Sequence, residues 1–328
     1  MKIGIIGGGV WGSALAKLLS SNKVCIYSRD SKVVNSINEH HFNPRLKYAV
    51  FNDNVTATSD INLLSSFDYL FLALPSQNIR EVLNTLESIN KDQEIIIGSK
   101  GIEISSSLLL SEVVEETTKV KKISVISGPC FSDEVSQNLP TAVTYASADK
   151  NSFDKIGNLF QNKNFRIYYS DDLIGCQIGG ALKNIYAIAA GITLGLNLGE
   201  NSKSALITRS FVEISRFGQS LGAKNETIFG LSGLGDLILT CNSIKSRNTK
   251  FGQLISSMKN PDFADILKSQ QITEGYFTIK AVKKIADEKK IEMPIMQTLF
   301  NILYNNFSIK EEIDVLLGRP LTNEFEKK

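Results

Sequence analysis

Lys183 is the most informative residue of this sequence, because it is the only formally charged side chain in the apolar segment 174–199. Burial in such a segment strips water from an unpaired ammonium and lowers its pKa from about 10.4 toward neutrality. A lysine with a lowered pKa can act as general acid and base, whereas one that extends its aliphatic stem to the surface keeps an ordinary pKa. We expect proton chemistry at Lys183, because the only histidines are His40 and His41.

The scarcity of other nucleophiles and metal ligands argues against several enzyme classes. The two histidines are adjacent, and no two cysteines form a C-x-x-C pair. A structural zinc site, an H-E-x-x-H metalloprotease and a Ser-His-Asp triad are therefore poorly supported, and we expect no metal. A solvated loop is the expected setting of the histidines. The cysteines are Cys25, Cys130, Cys176 and Cys241.

A glycine-rich turn follows the first apolar run of the chain and precedes an amphipathic stretch. Residues 7–12 read Gly-Gly-Gly-Val-Trp-Gly and match the pattern G-x-G-x-x-G. Gly7 permits a tight turn, Gly9 lets the backbone approach a pyrophosphate, and Gly12 lets helix and strand pack closely. The helix N-terminus adds N–H donors and positive dipole charge. We expect a dinucleotide site here, the alternative being a glycine-rich turn without a ligand.

The second predicted strand ends beside groups suited to either form of a nicotinamide dinucleotide. An acidic residue about 20 positions after the glycines usually holds the ribose 2′-hydroxyl of NAD, and Asp30 is near that position. Ser28 and Arg29 could instead hold the 2′-phosphate of NADP, although Arg29 also fits an ordinary solvated charge. The sequence therefore predicts use of NAD or NADP without ranking them.

Two more turns follow predicted strands, at the edge where doubly wound sheets bind ligands. Lys100 lies after the strand 94–98 and places a cation where substrate and nicotinamide would meet. Gly128 follows the strand 123–126 within a few residues and offers backbone groups at the same rim. Either turn could also be an ordinary loop that has no role in ligand binding.

The second half of the chain contains an acid and a phosphate-binding pattern. Asp236 follows a glycine-rich loop that lacks the G-K-S or G-K-T ending of a P-loop, so it could orient a substrate hydroxyl or the Lys183 ammonium, or cap a helix. The run Ser246-Arg247-Asn248 combines a hydroxyl, a guanidinium and an amide. This set suits a phosphate, although a surface turn would look similar.

The elements that must position these residues follow from hydrophobic periodicity. In the first half, short β-branched runs alternate with amphipathic stretches, which predicts a parallel sheet covered by helices on both faces. The last two runs would extend that sheet and reverse its direction at an edge. The predicted strands are 3–6, 24–27, 69–73, 94–98, 123–126, 141–145 and 165–169, with helices at 76–89 and 107–117.

After residue 170 the pattern predicts helices at 207–220, 251–257, 277–289 and 294–304, and no further strand. Asp171 and Asp172 would open the apolar segment as N-terminal helix residues. The predicted fold class is α/β, a Rossmann-type doubly wound, mostly parallel sheet with an all-helical C-terminal domain. The predicted domains are 1–170, which binds NAD(P), and 171–328, which binds substrate and carries catalysis, with a cleft between them.

Composition agrees with a folded protein of two domains. The 328 residues are 42% hydrophobic and 21% charged, which argues against wholesale disorder and disulfide-dense miniature scaffolds. A net charge of +2 without a long basic block argues against a general nucleic-acid binder. The N-terminus is too short and glycine-broken for a signal peptide, and polar residues in 174–199 disfavour a membrane span. A cytoplasmic location is therefore expected.

Together these segments resemble the bacterial NAD(P)-dependent glycerol-3-phosphate dehydrogenases along essentially the whole chain. The resemblance implies a Rossmann domain joined to a helical domain, reduction of dihydroxyacetone phosphate to sn-glycerol 3-phosphate, and a role in glycerophospholipid synthesis. It is compatible with a homodimer. The motifs that carry it are GGGVWGSALA at 7–16, SKG at 99–101, ISGP at 126–129, GGALKN at 179–184, GLGDL at 233–237, SRN at 246–248 and EGY at 274–276.

The resemblance also implies residue roles, with Lys183 as proton donor and acceptor. The chain departs from the family pattern at Val10, where serine is usual, at Cys130, where threonine or serine is usual, and at 132–133, where Ala-Lys is frequent. Backbone contacts remain implied at Val10 and Cys130. The implied cofactor contacts are Gly7, Gly9, Val10, Trp11, Gly12, Arg29, Lys100, Ser132, Arg247, Ile272 and Glu274. The implied substrate contacts are Lys100, Gly128, Lys183, Asp236, Ser246, Arg247 and Asn248.

Two other functions fit part of the pattern. Another two-domain hydroxyacid dehydrogenase, such as one acting on phosphogluconate, would share the glycine turn but not the combination of SRN at 246–248 with the loop before Asp236. A nucleotide-binding redox sensor would bind NAD(P)H through the same turn without needing Lys183, and would show no turnover.

Overall fold

The computed structural model describes residues 1–258, 263, 266, 273–321, 323 and 324. Its strands are β1 Lys2–Ile6, β2 Lys23–Tyr27, β3 Val55–Thr58, β4 Tyr69–Leu72, β5 Glu94–Ile97, β6 Lys122–Ser127, β7 Thr141–Ser147 and β8 Phe165–Ser170. They form one eight-stranded sheet in the order β3-β2-β1-β4-β5-β6-β7-β8. β7 runs antiparallel to β6 and the other pairs are parallel, so the expected reversal occurs where β7 joins the sheet.

Helices cover this sheet as the apolar strands require. All four residues of β4 and all four of β5 are buried, which is typical of parallel strands covered on both faces. The predicted Rossmann-type, doubly wound fold is confirmed. The helices of this part are α1 Val10–Leu18, α2 Ser31–His40, α3 Ile79–Asn84, α4 Leu110–Thr117, α5 Ser132–Ser136 and α6 Lys150–Leu159.

The structure corrects several elements of this first half. The edge strand β3 was not predicted, because its four residues alternate between buried and more exposed positions. Helix α2 was also not predicted, and it contains His40, so the expected loop is wrong for that histidine. The predicted helix 76–89 is a 3-10 turn, Ser76–Asn78, followed by the short α3. The predicted helix 107–117 begins only at Leu110, because Ser107 has a left-handed φ of 64°.

The C-terminal domain is helical, and the described residues after Ser170 contain no strand. The prediction for 294–304 is confirmed, and the other three predicted helices overlap longer or shifted ones. The helices are α7 Leu173–Gly195, α8 Gly199–Ser220, α9 Asn225–Phe229, α10 Asp236–Cys241, α11 Arg247–Ser256, α12 Glu274–Lys289, α13 Pro294–Tyr304 and α14 Ile309–Leu317.

Helix α7 is the centre of this domain and fixes the position of the site. Asp172 caps it, since its Oδ1 accepts from the Gly175 N–H at 2.8 Å. A Cβ at Gly191 would lie 2.0 Å from the Thr249 carbonyl oxygen, so only glycine lets α7 and α11 approach this closely. The two helices that carry Lys183, Arg247 and Asn248 are thereby held in backbone contact.

The same helix, Leu173–Gly195, has the length and composition of a membrane span, with a hydropathy of 1.2, but 89% of its apolar window is buried inside the protein. It therefore has the setting of a core helix. The last strand ends at Ser170 and α7 begins at Leu173. The division of the chain into domains 1–170 and 171–328 stays a prediction.

Candidate functional site

Lys183, Lys100 and Asp236 meet where the sheet contacts the helical domain. Lys183 lies on α7, Lys100 follows β5, and Asp236 begins α10. The Lys183 Nζ donates to Asp236 Oδ1 at 2.5 Å, and the Lys100 Nζ donates to Asp236 Oδ2. The Asp236 side chain is completely buried. One carboxylate therefore compensates two ammonium groups that have little access to water.

The two lysines differ in proton affinity although they share this carboxylate. Burial, together with the charge of Lys100, lowers the pKa of Lys183 to about 8 against the opposing attraction of Asp236. Burial also acts to lower the pKa of Lys100, but Asp236 outweighs it, and that pKa lies above its ordinary value. At neutral pH Lys100 is a fixed cation, whereas Lys183 can exchange a proton.

The local fold directs the Asp236 side chain to the lysines rather than to a helix end. Gly235 is the N-cap of α10, and no side chain caps this terminus. A π-helical turn, Leu231–Gly235, precedes Asp236, and the Thr240 hydroxyl donates to the Asp236 carbonyl oxygen at 2.6 Å. Of the roles expected for Asp236, orientation of the Lys183 ammonium fits this geometry.

The turn after β6 supports Lys100 from the other side. The Gly128 carbonyl oxygen accepts from the Lys100 Nζ at 3.1 Å and from the Cys130 Sγ at 3.2 Å. Burial raises the pKa of the Cys130 thiol, so it stays protonated at neutral pH. The structure thus brings Gly128 into the cluster as a hydrogen-bond partner of Lys100.

Ser127 joins this cluster although the sequence analysis did not select it. It is 2% exposed, and its hydroxyl has no hydrogen-bond partner among the described residues. A Cβ at Gly180 would lie 2.8 Å from the Ser127 Oγ and 3.4 Å from the Lys100 Cγ. The sequence signals were its place directly after the predicted strand 123–126 and within the ISGP motif at 126–129.

The turn 7–12 has the shape that its glycines predict. Gly7 has a φ of 129°, and a Cβ at Gly12 would lie 2.0 Å from the Gly7 carbonyl oxygen, so α1 packs directly on the turn. A Cβ at Gly9 would meet no atom within 4 Å. The backbone before α1, which begins at Val10, is therefore open to an incoming anion.

Trp11 supplies a second indication that a ligand binds beside this turn. Its indole N–H is buried and has no acceptor among the described residues, and a Cβ at Gly98 would lie 2.9 Å from that nitrogen. Leaving a buried donor unpaired costs free energy, which a ligand can recover. The open backbone at Gly9 and this indole together fit a dinucleotide.

At the end of β2, two of the residues predicted to contact the ribose, Arg29 and Asp30, have different surroundings. Arg29 is exposed and has no hydrogen bond or ion pair among the described residues. Asp30 caps α2 by accepting from the Lys32 N–H at 3.0 Å, and it pairs with Arg45 at 2.6 Å. Sequence reasoning missed Arg45, because it lies in an irregular segment without periodicity.

The run Ser246-Arg247-Asn248 forms the N-terminus of α11 and not a surface turn. The Ser246 hydroxyl caps the helix by accepting from the Thr249 N–H at 3.2 Å. Arg247 remains exposed and has no hydrogen bond or ion pair among the described residues, although the charge of Glu274 acts on it. This end of α11 therefore offers a guanidinium together with free helix N–H groups.

The Asn248 amide connects three helices. Its Nδ2 donates to the Asn184 Oδ1 at 2.9 Å, and its Oδ1 accepts from the Gly275 N–H at 3.0 Å. Asn184 is adjacent to Lys183 on α7, and Gly275 lies in the first turn of α12. Asn248 thus holds α11 against both helices, so any substrate contact would add to this positioning role.

Glu274 joins the helical domain to the sheet domain. Its carboxylate accepts from the Ser76 hydroxyl at 2.7 Å and from the Ser76 N–H at 3.3 Å. Burial raises the pKa of Glu274. Of the other implied cofactor contacts, Ser132 is the half-buried first residue of α5, whereas Ile272 lies outside the described residues.

His40 and His41 lie apart from this cluster. His40 is the last residue of α2, and His41 caps the C-terminus of that helix in a left-handed conformation. Within the described part of the chain, no group of three or more His, Cys, Asp or Glu side chains could hold a metal ion.

Two family models match the chain. The model described as NAD-dependent glycerol-3-phosphate dehydrogenase N-terminus matches residues 2–153, and the C-terminus model of the same enzyme matches residues 172–314. Together they cover seven of the eight strands and most of the helical domain.

Curated relatives carry the same name over the same length. Glycerol-3-phosphate dehydrogenase (NAD(P)+) of Zymomonas mobilis is 39% identical over 326 residues, covering 98% of this chain and 94% of the relative. The protein of that name from Halalkalibacterium halodurans is 39% identical over 333 residues, covering 99% of this chain and 96% of the relative.

Solved structures give the same result. Glycerol-3-phosphate dehydrogenase from Coxiella burnetii has a TM-score of 0.92 at 35% identity, over 97% of this chain and 99% of that one. The enzyme from Plasmodium falciparum has a TM-score of 0.89 at 26% identity, over 98% of this chain and 97% of that one. The family resemblance of the motifs is confirmed, and the chain belongs to the NAD(P)-dependent glycerol-3-phosphate dehydrogenase family.

Proposed function

We propose that the chain reduces dihydroxyacetone phosphate to sn-glycerol 3-phosphate with NADH or NADPH, and that Lys183 donates and accepts the proton. The observation that carries the proposal is the buried cluster in which Lys183 and Lys100 share Asp236. This cluster places one exchangeable proton beside one fixed cation. Reduction of a ketone needs both, since negative charge develops on the carbonyl oxygen before that oxygen is protonated.

The glycine turn and its surroundings would hold the cofactor. Gly9 leaves room for the pyrophosphate, Gly7 and Gly12 shape the turn, and the backbone N–H groups from Val10 onward would bind the pyrophosphate. The unpaired Trp11 indole supports a ligand on the side of β5. When bound, the reduced nicotinamide supplies the hydride. The remaining proposed cofactor contacts are Arg29, Lys100, Ser132, Arg247, Ile272 and Glu274.

Lys183 would transfer the proton. With a pKa of about 8, its ammonium is mostly protonated at neutral pH and can donate to the carbonyl oxygen as that oxygen becomes an alcohol. Asp236 holds the ammonium in place, and Lys100 stabilises the developing negative charge. Solvent then returns a proton to Lys183. In the reverse reaction the neutral amine accepts the proton of the alcohol.

The substrate phosphate would bind at the N-terminus of α11. Arg247 has no hydrogen bond or ion pair there among the described residues, and its planar guanidinium can hold two phosphate oxygens. Ser246 and Asn248 fix this helix end through the cap and the Asn184 and Gly275 contacts. Gly128 would contribute a backbone contact near Lys100.

The setting of the reaction is part of the same proposal. Its product places the enzyme at the entry to glycerophospholipid synthesis, in the cytoplasm. The four cysteines are all free, as expected in a reducing compartment. The domains 1–170 and 171–328 would bind cofactor and substrate respectively, and a homodimer is the proposed assembly.

One experiment separates this function from the two alternatives. The absorbance of NADH and NADPH is followed with and without dihydroxyacetone phosphate, and with 6-phosphogluconate and NADP+ in a parallel assay. Oxidation of the cofactor that depends on dihydroxyacetone phosphate is expected. Turnover with phosphogluconate alone would indicate the other dehydrogenase, and binding of the nucleotide without turnover would indicate a sensor.

A further inference from the structure

We propose that Arg45 selects the cofactor: it neutralises Asp30 and forms, with Arg29, the site for a 2′-phosphate, which makes NADPH the preferred form. This inference rests on the proposed function only for the identity of the bound dinucleotide. It concerns the adenosine end of the cofactor, remote from the Lys183 cluster.

Asp30 stands where an acidic residue normally disfavours NADP. A free carboxylate there accepts from the ribose 2′-hydroxyl of NAD and repels the 2′-phosphate of NADP. In this chain each of the two carboxylate oxygens already accepts a hydrogen bond. Oδ1 accepts from the Lys32 N–H at 3.0 Å, and Oδ2 accepts from the Arg45 guanidinium at 2.6 Å. Asp30 is therefore a helix cap and an ion-pair partner, and its charge is compensated.

The cofactor turn itself holds Arg45 in this place. The Arg45 N–H donates to the Asn43 Oδ1 at 2.9 Å. Asn43 is fully buried, and its Nδ2 donates to the Ser13 Oγ at 2.5 Å and to the Gly8 carbonyl oxygen at 3.3 Å. The backbone of Arg45 is thus linked through one side chain to the turn that would bind the pyrophosphate.

The end of β2 packs against the same turn. A Cβ at Gly8 would lie 2.7 Å from the Ser28 Oγ, and the Asp30 N–H donates to that oxygen at 3.2 Å. Arg29, which lies between Ser28 and Asp30, is therefore also carried beside the turn. The adenosine end of the site is bordered by two arginines and one acid, a net charge of about +1 that favours an additional phosphate.

Arg45 keeps donors for a phosphate while it is paired with Asp30. Its side chain is 49% exposed and uses one terminal nitrogen for the Asp30 bond. A guanidinium has five N–H donors in a planar fork, so the remaining donors are available to a ligand. Arg29 has no polar partner among the described residues and completes the pair of cations.

The test is a fluorescence titration of NADPH and NADH in the absence of substrate. Arg45→Ala should weaken NADPH about tenfold or more while NADH changes little, since one charge-assisted bond is lost and Asp30 is left uncompensated. Asp30→Asn in the Arg45→Ala background should recover part of the NADPH affinity, because asparagine still caps a helix but carries no charge. Arg45→Lys should retain most of the affinity for NADPH.

Lys47→Ala is the matched control, since Lys47 lies two residues further along the same segment, is exposed, and carries the same charge. It should change both cofactors equally and weakly. The proposal is overturned if the unaltered chain binds NADH more tightly than NADPH, or if Arg45→Ala changes the two alike. Because the titration needs no substrate, absent turnover with dihydroxyacetone phosphate would reject the proposed function and leave this result standing.

Discussion

Lys100 and Lys183 bind the two oxygens of one carboxylate, Asp236, yet of the two only Lys183 has a pKa near neutrality. The difference follows from the balance between burial and the neighbouring charges. For Lys100, the attraction of Asp236 outweighs burial, and the Nζ also donates to the Gly128 carbonyl oxygen at 3.1 Å. For Lys183, burial and the charge of Lys100 outweigh the attraction of Asp236.

Replacement of Lys183 with methionine tests the proton-transfer role. The substitution keeps the length and removes both the charge and the transferable proton, so turnover should fall by at least about 10²- to 10⁴-fold. NADH binding at the glycine turn should persist, since no described contact links that turn to Lys183. Steady-state turnover and NADH fluorescence titration measure the two effects.

Lys284→Met is the control for this variant, because Lys284 is an exposed lysine on α12. It should leave turnover and NADH binding unchanged. Near-normal turnover of Lys183→Met would contradict the proposed role of Lys183 as proton donor and acceptor. Joint loss of turnover and NADH binding would show that Lys183 supports the structure.

The pH profiles of kcat/KM for the two reaction directions should have opposite slopes near the pKa of Lys183. Reduction of the ketone needs the ammonium, so kcat/KM should fall as the pH rises through about 8. Oxidation of the alcohol needs the neutral amine, so its kcat/KM should rise over the same interval. Parallel profiles in both directions would contradict a single donor and acceptor.

Periodicity predicted the sheet where strands are buried on both faces. β4 and β5 are continuous apolar runs, and the pattern found both. It did not find β3 or α2. β3 has four residues, of which two are buried, and α2 contains many polar residues. Such elements form because the neighbouring strand and loop pack on them, and no local pattern contains that information.

The chemistry of the site was predictable where a residue type conflicts with its surroundings. Lys183 is a lone charge in an apolar segment, and the structure buries it as expected. The roles of Arg45 and Ser127 depend on contacts with residues far along the chain, Asp30 for the first and Gly180 for the second. Only the fold supplies those contacts.

Arg247→Lys tests the phosphate site at the N-terminus of α11. Lysine keeps the charge but loses the planar fork that can hold two phosphate oxygens, so the KM for dihydroxyacetone phosphate should rise clearly while kcat changes less. Arg166→Lys, at an exposed position of β8, is the control and should leave both constants unchanged. An unchanged KM for Arg247→Lys would show that the phosphate does not bind at Arg247, and Lys100 would be the next residue to test.

Glu213 should make the stability of the helical domain depend on pH. Its carboxylate is buried on α8 and accepts from the Ile295 N–H at 2.7 Å and the Met296 N–H at 3.1 Å, so it caps α13. Burial raises its pKa to about 7, from an ordinary 4.5. The folded state therefore binds more protons than the unfolded state between these two values, and the free energy of unfolding should decrease as the pH rises through this window, by at most about 1.4 kcal/mol per pH unit.

Urea unfolding at several pH values measures this slope. Glu213→Gln should flatten it, whereas Glu288→Gln, at an exposed position of α12, should not. A slope that is the same in the unaltered chain and in Glu213→Gln would show that Glu213 does not titrate in this range.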